Sequence, residues 1–132
     1  MAAADSAEQR RRALERFYDA FNARDLTQLI AAMHPQVEFE SRFARAGGTT
    51  YRGHDGIRGW LADLADAWEH IAVELERSFE TRSDRTIALI TLHGKGRASG
   101  VELHERAAHE LRWRDGRLLS LTYVERDEAG LR

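Results

Sequence analysis

The sequence predicts an α+β domain, with helices in its first half and long strands in its second. Three observations predict it. Apolar residues recur at helical spacing in segments that end near Trp68, and alternate at every second position from Ile71 onward. Pro35, Gly47-Gly48 and Asp115-Gly116 sit at the joints between these patterns. Helices followed by strands, with no repeat and no linker, is the order of a single α+β unit. The 132 residues suit one domain, residues 1–132, with an ordered core expected over about 6–126.

Ser6 is the expected cap of a first helix, with Glu8 and Gln9 in its opening turn. Ala13, Leu14, Phe17, Ala20 and Phe21 mark its apolar face. Asp25 is expected to cap a short second helix with Leu26, Leu29, Ile30 and Met33 as its buried stripe. His34-Pro35 ends it, because a residue before proline is pushed out of the helical region. Val37 to Ser41 alternates as a strand with Val37, Phe39 and Ser41 inward and Glu40 outward. Ala46 to Thr50 reads as a flexible loop.

A third helix comes next, with Asp55 as its expected cap and Ile57, Trp60, Leu61, Leu64 and Trp68 on one face. After it runs a strand with Ile71, Val73, Leu75 and Phe79 on one side. Residues 87–93 are apolar on both sides, so that strand is covered on both faces. Leu103, Glu105, Ala107, His109, Leu111 and Trp113 share one parity of the next strand. Asp115-Gly116 is a hairpin turn into a last strand carrying Leu119, Leu121 and Tyr123.

Charge and composition exclude several functions. The 20 basic and 22 acidic side chains leave a net charge of −2, without the clustered positive field that phosphate backbones require. No nucleic-acid partner is expected. No apolar run reaches the ~20 residues of a membrane helix, so no membrane partner is expected either. There is no cysteine, which removes disulfides, thiolate metal sites and a thiol nucleophile, and fits a cytoplasmic location. His104 and His109 fall on opposite faces of one strand, while His34, His54 and His70 lie in separate connections. No metal and no cofactor is expected.

The segments Phe17-Tyr18-Asp19-Ala20-Phe21-Asn22-Ala23-Arg24-Asp25-Leu26, Tyr51-Arg52-Gly53-His54-Asp55-Gly56-Ile57 and Trp113-Arg114-Asp115-Gly116-Arg117-Leu118 carry a further signal in their order and spacing. Together they resemble the SnoaL-like proteins of the nuclear transport factor 2-like superfamily, relatives of ketosteroid isomerases and polyketide cyclases. The likeness spans about residues 8–126. It implies a cone-shaped fold, in which three N-terminal helices pack against a strongly curved antiparallel sheet around one pocket. It also implies a homodimer formed through the outer sheet face. The superfamily hosts isomerases, epoxide hydrolases, cyclases, dehydratases and binding modules, so the fold alone does not choose among them.

Carried over position by position, the resemblance sets Phe17 where a ketosteroid isomerase has its oxyanion tyrosine. Tyr18 is adjacent but about 100° around the helix. Ser41 stands at the general-base aspartate and His109 at the protonated aspartate. All three differ, so ketosteroid isomerase activity itself is not expected. The inward positions lack the Asp-Arg-Asp set of limonene-type epoxide hydrolases, and His109 alone could serve as the cyclases' inward acid–base group.

The catalytic candidates are therefore His109, as general acid or base, and Glu105, which would set its tautomer or raise its pKa. The alternative is a half-buried histidine that bonds a neighbour and does no chemistry. Phe17, Ser41, Tyr51, Trp60, His93, Trp113 and Tyr123 are the candidates for ligand contact, and Arg42 either reaches the cone rim toward an anion or is a surface arginine. Two functions remain open. One is a cofactor-free isomerase, lyase or cyclase acting on a small hydrophobic molecule; the other is a non-catalytic ligand-binding or dimeric scaffold module. Ile90 and Leu92 are read as an apolar row on the strand's second face, and His104, Arg106, Glu110 and Arg112 as mixed charges beside it that suit a two-fold interface.

Overall fold

The computed structural model describes residues 6–44, 48–82 and 84–124. The ends read as loose, residues 1–5 and 126–132, and residues 45–47 of the glycine loop lie outside the described residues.

Helix α1 (Ala7–Ala23) starts where expected: Gln9 donates its backbone N–H to Ser6 Oγ at 3.1 Å. Leu14, Phe17, Tyr18 and Phe21 form its buried stripe. Arg24 ends it in the left-handed region at φ 56°, and its guanidinium donates to the Phe21 and Ile71 carbonyls while lying 4.5 Å above the Phe21 ring. Asp25 caps helix α2 (Leu26–Ala32) as expected, accepting from Gln28 N at 3.1 Å.

Met33 belongs to strand β1 (Met33–Ser41) instead of the helix, and stays fully buried there. Val37, Phe39 and Ser41 are inward, as the alternation predicts. Thr49 and Thr50 are not loop: they open strand β2 (Thr49–Arg52), which pairs antiparallel with β1 and sets Tyr51 opposite Phe39. Helix α3 (Gly53–Ala67) begins two residues before Asp55, so Asp55 is not its cap. It lies in the first turn instead, where a carboxylate still suits the helix dipole. Ile57, Trp60 and Leu64 are its buried residues, and Trp68 opens the next strand.

Strands β3 (Trp68–Arg82), β4 (Arg85–Gly96), β5 (Glu102–Arg114) and β6 (Arg117–Val124) complete a sheet of order β2-β1-β6-β5-β4-β3. The sheet is mixed, because β1 runs parallel to β6. Both residues of the Asp115-Gly116 turn take positive φ, as a tight hairpin requires. Register shifts occur within β3 and near the end of β5. Such bulges bend strands and sharpen their twist, which curls the sheet around α1.

The bulge between Leu75 and Arg77 reverses the facing of the rest of β3. Phe79 therefore leaves the side of Ile71 and Val73, and packs outside with Ile87, Leu89, Ala108 and Val124. Glu80 is turned inward to a paired hydrogen-bonded contact with the buried Arg10 of α1. On β4 the expected facing of Ile90 and Leu92 is likewise corrected: both join the main core with Ala88, and the outward row is Ile87, Leu89, Thr91 and His93. β4 is covered on both sides, as expected.

The C-terminal end of α1 is stitched to β3. Asn22 donates to the Val73 carbonyl and accepts from the Val73 N–H, both at 2.8 Å. This bond pair fixes the helix across the concave face and sets the depth of the space beneath it.

Candidate functional site

That space is a cavity of about 30 Å³, measured as room for the centre of a water molecule. Helix α1 contributes Phe17, Tyr18 and Phe21, and α3 contributes Trp60 and Leu64. β1 and the residues just beyond it supply Phe39, Glu40, Ser41 and Phe43. Ile71, Val73 and Leu92 form the floor; His109, Leu121 and Tyr123 close the remaining side. The wall is chiefly aromatic. Trp60 stacks on Phe21 at 5.1 Å and meets Phe39 edge-on at 4.8 Å.

His109 sits in a cross-strand row between Ala88 on β4 and Tyr123 on β6. The small Ala88 leaves room for the imidazole, which meets the Tyr123 ring edge-on at 4.7 Å. His109 is 4% exposed, and its Nδ1 lies 2.8 Å from the Tyr18 hydroxyl. Burial, reinforced by the positive field of Arg42, holds its pKa down to about 3. It is therefore a neutral imidazole at pH 7. Burial also raises the Tyr18 phenol well above its ordinary range, with the Tyr123 phenol adding to the shift, so Tyr18 keeps its proton. A protonated hydroxyl either donates to Nδ1 or accepts from Nδ1–H; with Tyr18 as the donor, the imidazole proton sits on Nε2.

His109 Nε2 is buried without a hydrogen-bond partner among the described residues, and so is the Trp60 Nε1–H. Two neutral donors, on α3 and on β5, are thus left over in the wall of one cavity. Tyr123 is the third polar group: burial above all lifts its phenol to about 12, against the opposing Arg42 backbone and guanidinium. The Arg42 guanidinium lies 4.5 Å over the Tyr123 ring, and Glu40 accepts the Tyr123 backbone N–H at 3.1 Å.

Of the residues singled out in the sequence, the fold brings Phe17, Ser41, Trp60, His109 and Tyr123 together around the cavity. Four others are elsewhere. Glu105 shares the facing of His109 but is exposed, and the imidazole partner is Tyr18 in its place. His93 faces outward, 3.2 Å from Glu74 and edge-on to His104, because the inward parity of β4 belongs to Ile90 and Leu92. Trp113 is a core residue whose Nε1–H donates to Thr86 Oγ1 at 3.0 Å. Tyr51 stands behind the wall, stacked on Phe39, with its hydroxyl given to Asp63 Oδ2 at 2.6 Å.

Tyr18, Glu40 and Phe43 were missed. Tyr18 comes four residues after Leu14, so the helical stripe itself carried the signal. Glu40 is brought back to the wall by its bond to the Tyr123 backbone at the end of the β1–β6 pairing, which strand parity does not encode.

Among the described residues no group of three or more His, Asp or Glu side chains is placed to hold a metal ion. No described helix is long and apolar enough to cross a membrane.

Solved structures share this architecture. A nuclear transport factor 2-like protein of unknown function from Burkholderia pseudomallei is 20% identical, with a TM-score of 0.77 over 89% of this chain and 90% of that one. TerC, co-crystallised with polyporic acid, is 23% identical with a TM-score of 0.76 over 92% and 95%. A Mycobacterium tuberculosis protein in complex with estradiol-17β-hemisuccinate is 16% identical with a TM-score of 0.71 over 87% and 92%. These likenesses establish the fold. No curated protein matches the sequence significantly. The SnoaL-like domain model matches residues 14–121, a span running from the buried stripe of α1 to the cavity wall of β6, and the chain belongs to the SnoaL-like family.

Proposed function

We propose that the chain is a cofactor-free enzyme of the isomerase or cyclase type, acting on a small, largely apolar cyclic carbonyl compound. The observation that carries this reading is the pair of buried, unpartnered N–H groups on His109 and Trp60 in one aromatic cavity. An unmatched buried donor is costly, and a carbonyl oxygen is the acceptor that satisfies two of them at once. Neutral donors in a water-poor site also strengthen as charge grows on that oxygen, which is the requirement for stabilising an enolate. Glu40 is the carboxylate on the wall and is assigned the role of base. It takes a proton from the carbon between the carbonyl and a neighbouring C=C, the electrons move onto oxygen to give a dienolate, and return of the proton to the far alkene carbon re-forms the C=O and gives the conjugated isomer.

In this reading His109 is a donor rather than the acid–base group, since a base with a pKa near 3 is empty of protons and weakly basic at pH 7. Ser41, Phe17 and Tyr123 shape the wall around the ring. The neighbours crystallised with polyporic acid and with a steroid hemisuccinate support a cyclic ligand by analogy of fold.

A panel of cyclic ketones and enones in heavy water tests it, with α-proton exchange monitored by NMR. The expected result is exchange that Glu40→Gln and Trp60→Phe each reduce at least about tenfold. A second reading, a binding module, is favoured by the preponderance of apolar side chains in the wall. Saturable quenching of tryptophan fluorescence by a ligand that shows no exchange would select it.

We also propose that two copies associate through the outer sheet face. The support is the row of mixed charges on that face, His104, Arg106, Glu110 and Arg112, beside the partly exposed Phe79 and Val124 that pack against the buried Ile87, Leu89 and Ala108.

A further inference from the structure

With Phe43 in place, the inner cavity is too small for a ring system. Its ~30 Å³ admits about two water molecules, whereas drug-sized ligands occupy sites of roughly 300–1,000 Å³. A second hollow of about 290 Å³ lies beside it, lined by Arg42, Phe43, Ala67, Trp68, Gly96, Ser99 and Val101. The two spaces share one wall residue, Phe43.

Phe43 is built as a partition. Its ring meets Trp68 and Tyr123 edge-on, each at 6.4 Å, and it is half-buried at the margin of the main core. Its backbone is held: the Trp68 indole N–H donates to the Phe43 carbonyl at 2.5 Å. With the backbone anchored and the ring half-buried, the side chain can turn aside while the Trp68 bond stays in place. Doing so joins the inner cavity to the outer hollow and brings the total into the range of a real ligand site.

The outer hollow has a definite chemistry. Among the described residues Arg42 is the one charged side chain in its wall, and it makes no ion pair with a described carboxylate. The remaining wall is apolar or neutral, with Val101 65% exposed at its outer edge. Glu40 and Glu105 also act on Tyr123, but Glu40 is engaged by the Tyr123 N–H and neither carboxylate lines this hollow.

We infer that the ligand is an amphipathic organic acid, with its ring system in the aromatic chamber and its carboxylate in the outer hollow against Arg42, across a displaced Phe43. Arg42 then determines specificity: its guanidinium matches a carboxylate and rejects a cation or a neutral end by comparison. This inference rests on the proposed use of the aromatic cavity and adds the class of molecule that fills it.

The test uses 4-(1-naphthyl)butyric acid and its primary amide, which differ only in the charged end, with binding read by tryptophan fluorescence. The wild-type protein should bind the acid at least about tenfold more tightly than the amide, in line with the strength of a charge-assisted hydrogen bond. Arg42→Gln should abolish that preference by weakening the acid about tenfold, to the level of the amide. Arg112→Gln, a charge loss on the outer sheet face, should leave both affinities and the preference as they are. Phe43→Ala should bind both probes faster. Equal binding of acid and amide to the wild type, still weakened by Trp60→Phe, would overturn the Arg42 assignment and leave the cavity reading standing. Failure of both probes to bind would overturn the two together.

Discussion

The Tyr18 hydroxyl and His109 Nδ1 lie 2.8 Å apart in the interior, joining α1 to β5 through one hydrogen bond. The bond spans 91 residues of sequence and ties the tyrosine's proton to the imidazole tautomer. Tyr18→Phe removes the donor and leaves Nδ1 as a buried acceptor. The variant should lose about 1–3 kcal/mol of stability by urea unfolding. Nitrogen NMR of the imidazole should show the Nε2–H tautomer in the wild type and a mixture in the variant. A single Nδ1–H form in the wild type would reverse the donor assignment.

Burial of neutral His109 makes stability depend on pH with a definite sign. The unfolded chain's histidine takes up a proton below about 6.5, while the folded one, at about 3, does not. Between these values the unfolded state binds more protons, so stability is fully present above about pH 6.5 and falls as pH falls, by up to ~1.4 kcal/mol per unit. Measured by urea unfolding at about pH 7.5 and about pH 4.5, the wild type should lose ~2.7 kcal/mol more than His109→Gln. Equal losses would show that His109 is not buried in its neutral form.

Trp60→Phe keeps an aromatic ring against Phe21 and Phe39 but deletes the unpartnered Nε1–H. The lost volume costs stability and the removed orphan donor returns some, so the net change should stay within about 1 kcal/mol. Affinity for a carbonyl ligand should fall about tenfold. A loss of several kcal/mol with unchanged affinity would make Trp60 a packing residue alone.

Association through the outer face should appear as a species of twice the 15.1 kDa chain mass in light scattering at micromolar concentration. Arg106→Glu, which places a like charge beside Glu76 and in the middle of that face, should shift the population toward monomer. A wild-type protein that scatters only as a single chain would exclude the dimer.

The fold was legible where a local pattern has one solution. Ser6, Asp25 and the Asp115-Gly116 turn each act within a few residues, and each sits where the sequence puts it. Facing was legible only where a strand is polar on one side. β4 is apolar on both, so parity could not say that Ile90 is inward and His93 outward. The bulge at Leu75–Arg77 leaves no mark in composition, yet it exchanges the faces of Phe79 and Glu80. The site was half legible for a related reason. His109 can be placed from strand parity with Leu111, but its partner Tyr18 lies 91 residues away and is fixed by how α1 rolls on the sheet.

The bond pair between Asn22 and Val73 has a consequence for life at high protein concentration. β3 is one of the sheet's two edge strands, and the rim of a sheet is where a foreign strand can add and start fibril growth. Asn22 answers Val73 with both a donor and an acceptor, as a neighbouring strand would, and Arg24 occupies the Ile71 carbonyl. The end of the first helix therefore works as a blunt end-stop on this part of the sheet, and copies of the chain that meet side by side find the rim at Ile71 and Val73 already filled.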